Sequence, residues 1–163
     1  MIEYKLGNIF QSEAQTLTSP VNVVGVAGKG LAAQFRVRYG LAHDHYVQMC
    51  EAYGRYLLGR PFVFRERGWD KQILFFPTKL HWRDPSRIEW IDDGLRYLAA
   101  NYKWLGITSL ALPALGSGLG QLDYAEVHER ITTLLAPVDI HVQVYLPHEE
   151  DAYDLYHGQL ARV

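Results

Sequence analysis

"VNVVGVAGKGLAAQFRVRYG", residues 21–40, decides how the rest of the chain is read. An apolar run holding one amide, Asn22, breaks into glycines around a single lysine, Lys29, and then turns amphipathic. The order is strand, anion-sized loop, helix. Residues 21–26 are expected as a short strand or a strand exit. Residues 29–39 are expected as a helix with Leu31, Ala32, Phe35 and Tyr39 on one face and Gly40 at its end. Glycines between a strand and a helix let backbone N–H groups approach an anion, and the helix N-terminus favours negative charge.

A second such loop, "ALGSGLGQL" with Gly116, Gly118 and Gly120, follows the apolar run "SLALP". It precedes a helical pattern opened by Asp123 and Glu126 and continued by Val127, Ile131 and Leu134. Two loops of this kind on 163 residues point to a diphosphate held from two sides. A P-loop is excluded: Lys29 is followed by Gly30 rather than Ser or Thr, and Val23 stands where the first glycine belongs. Gly28, Gly30 and Ala33 satisfy the loose dinucleotide-binding spacing. The acidic residue that should end a second strand is missing, and Glu51 falls on a helical pattern.

Around these loops strands and helices alternate. Residues 2–6 read as a strand and 43–53 as a helix with Tyr46, Cys50 and Tyr53 on one side. "PFVFRER" and "QILFFPTK" read as adjacent strands. Ser86 and Glu89 form a capping-box pattern ahead of Ile88, Ile91, Leu95, Leu98 and Tyr102, closed by Gly106. "HVQVYLP" is a last strand. Residues 148–163 read as a short helix or a tail. This pattern predicts an α/β fold whose sheet is covered on both faces, in a single domain spanning 1–163 with its core in about 1–147.

Bulk properties exclude several classes. No apolar stretch approaches a membrane span, and the N-terminus lacks a signal-peptide shape. Cys50 is the only cysteine, so neither an intrachain disulfide nor a thiolate metal cluster can form, and a reducing cytoplasm is the expected compartment. The seven histidines give no ligand set, so no metal and no cofactor are expected. Net charge is −2, so any nucleic-acid contact must come from a local patch. "PTKLHWR" supplies one. Lys79, His81, Arg83 and Arg87 surround Trp82 against one acid, Asp84, a mixture suited to a short single strand. Lys79 ends a strong strand, a usual position for ligand chemistry in α/β sheets. Asp84 reads as turn chemistry and Asp123 as a helix cap.

"GNI" after the first strand, Asn22 ahead of a glycine loop and "ALGSGLG" ahead of a helix resemble the macrodomain family, an ADP-ribose-binding fold. "VGVAGKGLAAQF", "FFPTKLHWRDPSRIEWI" and "LPALGSGLGQLDYAEV" resemble, more narrowly, its DarG-type DNA ADP-ribosyl glycohydrolases. These antitoxins remove ADP-ribose from thymidine in DNA, where a DarT toxin placed it. The resemblance runs from residue 2 to 147 and implies a three-layer α/β/α macrodomain with a mixed central sheet.

It implies Asn8 and Ile9 by the adenine, Asn22 near the distal ribose, and Gly28, Lys29, Gly30 and Leu31 at the first phosphate loop. Ser117, Gly118, Leu119 and Gly120 would form the second. Lys79 would be catalytic with Asn22, and His81, Trp82 and Arg83 would meet single-stranded DNA. ADP-ribose is the implied ligand, and a DarT-like toxin a partner through a region outside this chain. Two departures stand out. Ser19 replaces a second asparagine, and Gly120 stands where related hydrolases of glutamate-linked ADP-ribose carry an aspartate. ADP-ribose binding without turnover, and hydrolysis of protein-linked ADP-ribose, remain the alternatives.

Overall fold

The computed structural model describes residues 1–146. They form a six-stranded sheet in the order β1-β6-β5-β2-β4-β3. Its strands are β1 (Ile2–Lys5), β2 (Thr16–Asn22), β3 (Phe62–Phe64), β4 (Gln72–Lys79), β5 (Ser109–Leu112) and β6 (His141–Tyr145). All neighbouring pairs are parallel except the edge pair β3 and β4, so the sheet is mixed as expected. The helices among the described residues are α1 (Gly30–Arg38), α2 (Gly40–Tyr53), α3 (Ile88–Asn101) and α4 (Tyr124–Leu135).

The layers follow from strand alternation. Every residue of β4 is buried, because both sheet faces are covered at the centre. Ile73 and Phe75 pack with Leu17, Val21, Phe35, Tyr46 and Cys50, towards α1 and α2. Leu74 and Phe76, one step on, pack with Ile91, Leu95, Leu98, Val127 and Ile131, towards α3 and α4. The result is helix, sheet, helix. No helix among the described residues is long and apolar enough to cross a membrane.

Four local expectations are corrected. The strand placed at residues 21–26 is β2, which starts earlier and leaves the sheet at Asn22. Its polar residues Thr16, Thr18 and Ser19 hid it, though all three are buried. Gly40 does not end α1. Tyr39, at φ −131°, breaks the helical path, and Gly40 is the first residue of α2. Tyr53 does not share the buried side of α2 with Tyr46 and Cys50 but is 54% exposed. Ser86 does not cap α3: Arg87 holds the cap position with no side-chain bond. Ser86 instead donates its backbone N–H to the carbonyl of Gly120, 2.9 Å away, which ties the start of α3 to the second glycine loop. Asp123 does cap α4, accepting from the amide of Ala125 at 3.2 Å. The helix or tail expected at 148–163 lies outside the described residues.

Helix α3 crosses the sheet closely at Gly94. A Cβ there would lie 2.4 Å from Cζ of Phe76, a ring with no exposed surface. Gly94→Ala should therefore destabilise the protein by about 1–3 kcal/mol through overpacking, despite the ~1 kcal/mol by which alanine favours a helix. Urea denaturation would read this, and adding Phe76→Leu should restore part of the loss.

Candidate functional site

The parallel strands of this sheet all point one way, and a cavity of about 920 Å³ opens beyond their carboxyl ends. Asn22 enters it from β2, Thr78 and Lys79 from β4, Pro113 and Ala114 after β5, and Tyr145 and Leu146 from the end of β6. Asn8 and Ile9 border it after β1, Asn8 capping a short 3-10 turn by accepting from the amide of Phe10 at 2.9 Å. The first glycine loop contributes Gly28, Lys29, Gly30 and Leu31, and the second Gly116 to Gln121. Trp82 and Arg83 complete the rim. His81 stands outside this lining, its ring 5.1 Å from that of Trp82.

The two loops are built differently. Helix α1 starts at Gly30, so its first unpaired N–H groups belong to residues that line the cavity. In the second loop the glycines with structural necessity are Gly116 and Gly120. Gly116 has φ +72°, and its Cβ would lie 2.8 Å from Leu122. A Cβ at Gly120 would lie 2.3 Å from the Gly116 carbonyl oxygen and 2.5 Å from Oγ of Ser86. Gly118 has nothing within 4 Å of such a Cβ. Leu119 reaches across, its Cδ1 3.3 Å from where a Cβ of Gly30 would be, so the loops nearly meet over the cavity.

Lys79 ends β4 opposite Asn22, across a register shift between Val21 and Asn22. Only 9% of it is exposed, and its Nζ donates to the carbonyl of Trp82 at 3.4 Å. Burial pushes the Lys79 ammonium below the usual lysine range, and the Asp84 carboxylate opposes that shift. Trp82 is not a core residue: it is 44% exposed, with the guanidinium of Arg83 4.5 Å from its ring centre. Arg83 is itself held by its backbone N–H, which donates to Nδ1 of His81 at 3.1 Å. Among the described residues lining the cavity are three cations, Lys29, Lys79 and Arg83, and no carboxylate.

The sequence model of the Macro domain matches residues 18–131. The chain belongs to this family. It is 40% identical over 153 residues to the "DNA ADP-ribosyl glycohydrolase" of Thermus aquaticus, covering 91% of this chain and 42% of that protein. Among solved structures it is similar to the macrodomain of Mycobacterium tuberculosis DarG at 38% identity and a TM-score of 0.85, covering 91% of this chain and 99% of that one. It is also similar to Thermosipho africanus DarTG in complex with ADP-ribose at 37% identity and a TM-score of 0.83, covering 90% of this chain and 42% of that one. The chain thus spans about 42% of the length of the curated relatives it matches.

Within this macro domain Ser19 and Asn22 acquire a physical reading. Ser19 lies mid-strand in β2, 1% exposed and outside the cavity lining, so it replaces the second asparagine without entering the site. Asn22 lines the cavity, but its side-chain amide is bonded to its own loop and to Tyr46. Sequence reasoning missed Tyr46, since nothing local marks a buried tyrosine as a neighbour of residue 22. It also missed Gln121, whose φ of +64° is the only left-handed non-glycine conformation among the described residues and which stands on the cavity wall.

The close approach at Gly120 and the open space at Gly118 predict opposite outcomes. Gly118→Ala should leave the melting temperature of the unliganded protein unchanged. Gly120→Asp should lower it, because the second loop must move to admit any side chain. Thermal denaturation of the two variants beside the wild type would check this.

Proposed function

We propose that this macro domain hydrolyses the bond between ADP-ribose and a nucleobase in single-stranded DNA, with thymine as the base, and so reverses DNA ADP-ribosylation. The observation that carries the reading is the cavity itself: two glycine loops, three cations and, among the described residues, no lining carboxylate, with Lys79 buried where β4 enters it. The diphosphate would sit between the loops, with the adenine by Asn8 and Ile9 and the distal ribose near the ends of β2 and β4. The relatives named DNA ADP-ribosyl glycohydrolase support the reaction, and the DarTG complex supports the ligand.

Breaking an N-glycosidic bond develops positive charge at the ribose carbon and negative charge on the leaving base. As the ammonium, Lys79 can donate a proton to that base while water attacks the ribose carbon; as the free amine, which burial favours, it can attack the carbon itself, its lost proton leaving with the base, and water then cleaves the lysine–sugar bond. The diphosphate stabilises the cationic sugar. Arg83, stacked on Trp82 at the rim, would take a flanking DNA phosphate, and the Trp82–Arg83 pair would seat the base. A carboxylate-dependent reaction on protein-linked ADP-ribose is disfavoured, because Gly120 is closed to aspartate. We place the reaction in the cytoplasm, in keeping with a single buried free cysteine. A DarT-like transferase would make the substrate and would be met through a region outside this chain.

The direct test incubates the protein with a thymidine-ADP-ribosylated oligonucleotide and, in parallel, with a peptide ADP-ribosylated on glutamate. Release of ADP-ribose from the oligonucleotide alone is expected. Binding of ADP-ribose with no release from either would make the protein a binding module.

Lys79→Ala should lower kcat roughly a hundredfold or more while leaving ADP-ribose affinity nearly unchanged, since the loops carry the binding. The pH profile of kcat/KM should inflect below the pKa of a free lysine. The rate should rise through the inflection if the amine attacks, and fall if the ammonium donates. Asp84→Asn removes a charge that favours the ammonium, so it should move the inflection to lower pH in either case. Trp82→Ala should slow release from an oligonucleotide by about 10- to 100-fold and spare ADP-ribosyl-thymidine, which has no flanking phosphates. Arg83→Ala should cost less and flatten the salt dependence.

A further inference from the structure

The side chain of Asn22 braces its own loop, with one Nδ2 hydrogen left over. Its Oδ1 accepts the backbone N–H groups of Val24 and Gly25, each at 3.1 Å, and that of Val26 at 3.3 Å. Its Nδ2 donates to the carbonyl of Val26 at 2.7 Å. One amide thus closes residues 22–26 into a ring of bonds, entered through the left-handed turn at Gly25, φ +88°. Beneath it lies Tyr46 of α2, 1% exposed, whose hydroxyl is 2.8 Å from Asn22 Oδ1 and 2.9 Å from the Asn22 carbonyl. The hydroxyl's one hydrogen is shared between these two acceptors. The Tyr46 ring is fixed in turn by stacking on Phe75 of β4, centroids 5.3 Å apart and planes 12° from parallel. The loop rests on α2 at this point: a Cβ on Gly25 would lie 3.5 Å from that of Cys50.

We propose that Asn22 serves this site as the hub of the first glycine loop and that Tyr46 is a positioning residue for ADP-ribose, although it does not line the cavity. The chain leaves this ring at Val26 and reaches Gly28, Lys29 and Gly30 within four residues. The placement of Val26 therefore sets where the N–H groups at the start of α1 meet a diphosphate. An amide with its oxygen engaged by several donors has little left to offer a ribose hydroxyl as an acceptor. The pair acts on the phosphate end of the ligand. The inference rests on the cavity's being an ADP-ribose site.

The test has two arms. The first needs no ligand: hydrogen exchange at the amides of Val24, Gly25 and Val26 in the full chain. Slow exchange is expected in the wild type, with acceleration of at least about tenfold in Asn22→Ala and a smaller one in Tyr46→Phe. Fast exchange in the wild type would overturn the hub.

The second arm is calorimetric binding of ADP-ribose and of ADP, which lacks the distal ribose. Asn22→Ala should weaken both by about tenfold or more and by similar factors, and Tyr46→Phe should weaken both in the same proportion as each other. Loss confined to ADP-ribose would return Asn22 to a ribose contact and overturn the inference. A lowered melting temperature in Tyr46→Phe with unchanged affinity for both would make Tyr46 merely structural, and would overturn its role. Protected amides in a wild type that binds neither compound would remove the ADP-ribose reading, and with it the positioning role, while leaving the bonded loop as observed.

Discussion

Two strand ends that stop at the same level hold this site together. β2 and β4 run parallel and adjacent in the middle of the sheet, and a register shift after Val21 sets Asn22 opposite Lys79. The amide of Val23 then bonds the carbonyl of Lys79 at 3.0 Å, so the chain leaving β2 is pinned to the last residue of β4. Both strands are buried against helices on both faces, and neither end can shift without disturbing the core. A rigid floor is thereby combined with glycine loops whose donors are backbone groups. The floor fixes where chemistry can occur, and the loops fix what can be held above it.

The electrostatics follow from that arrangement. Lys79, largely buried, lines a cavity whose other charged lining groups among the described residues are also positive. Burial weakens the charged form, and Asp84 on the outgoing turn restores part of it. A diphosphate between the loops would act in the same direction as Asp84, since an anion nearby favours the ammonium. The protonation state of the lysine is thus linked to occupancy of the cavity. A polyanion would meet no opposing acid among the described lining residues.

Much of this was legible in the sequence wherever a periodic pattern met a backbone requirement. The run of apolar residues in "QILFFPTK" announced a strong strand, and the spacing of Ile91, Leu95 and Leu98 announced α3. Asp123 as a cap followed from its spacing to Glu126 ahead of an apolar pattern. The misreadings share a cause. β2 carries Thr16, Thr18 and Ser19 at buried positions, so hydrophobicity pointed to the apolar residues after it instead. Ser86 carried a cap's chemistry, but the second glycine loop claims its backbone. Tertiary contacts of this kind, like that of Tyr46 with Asn22, join residues far apart in the chain and leave no local trace. Gly118 and Gly120 look equivalent as letters, yet one faces open space and the other is walled in.

Gly120 also bears on how such a site can change over generations. Aspartate is one base substitution from two of the four glycine codons, so a carboxylate at this position can lie a single mutation away. Packing withholds it. The carbonyl of Gly116 and the hydroxyl of Ser86 occupy the space, and the backbone of Ser86 is bonded to Gly120 as well. Residue 120 can accept a carboxylate only after the loop backbone and the entry to α3 have shifted together. Mutational proximity and structural proximity therefore diverge here: a carboxylate at 120 is near in the code and far in conformation.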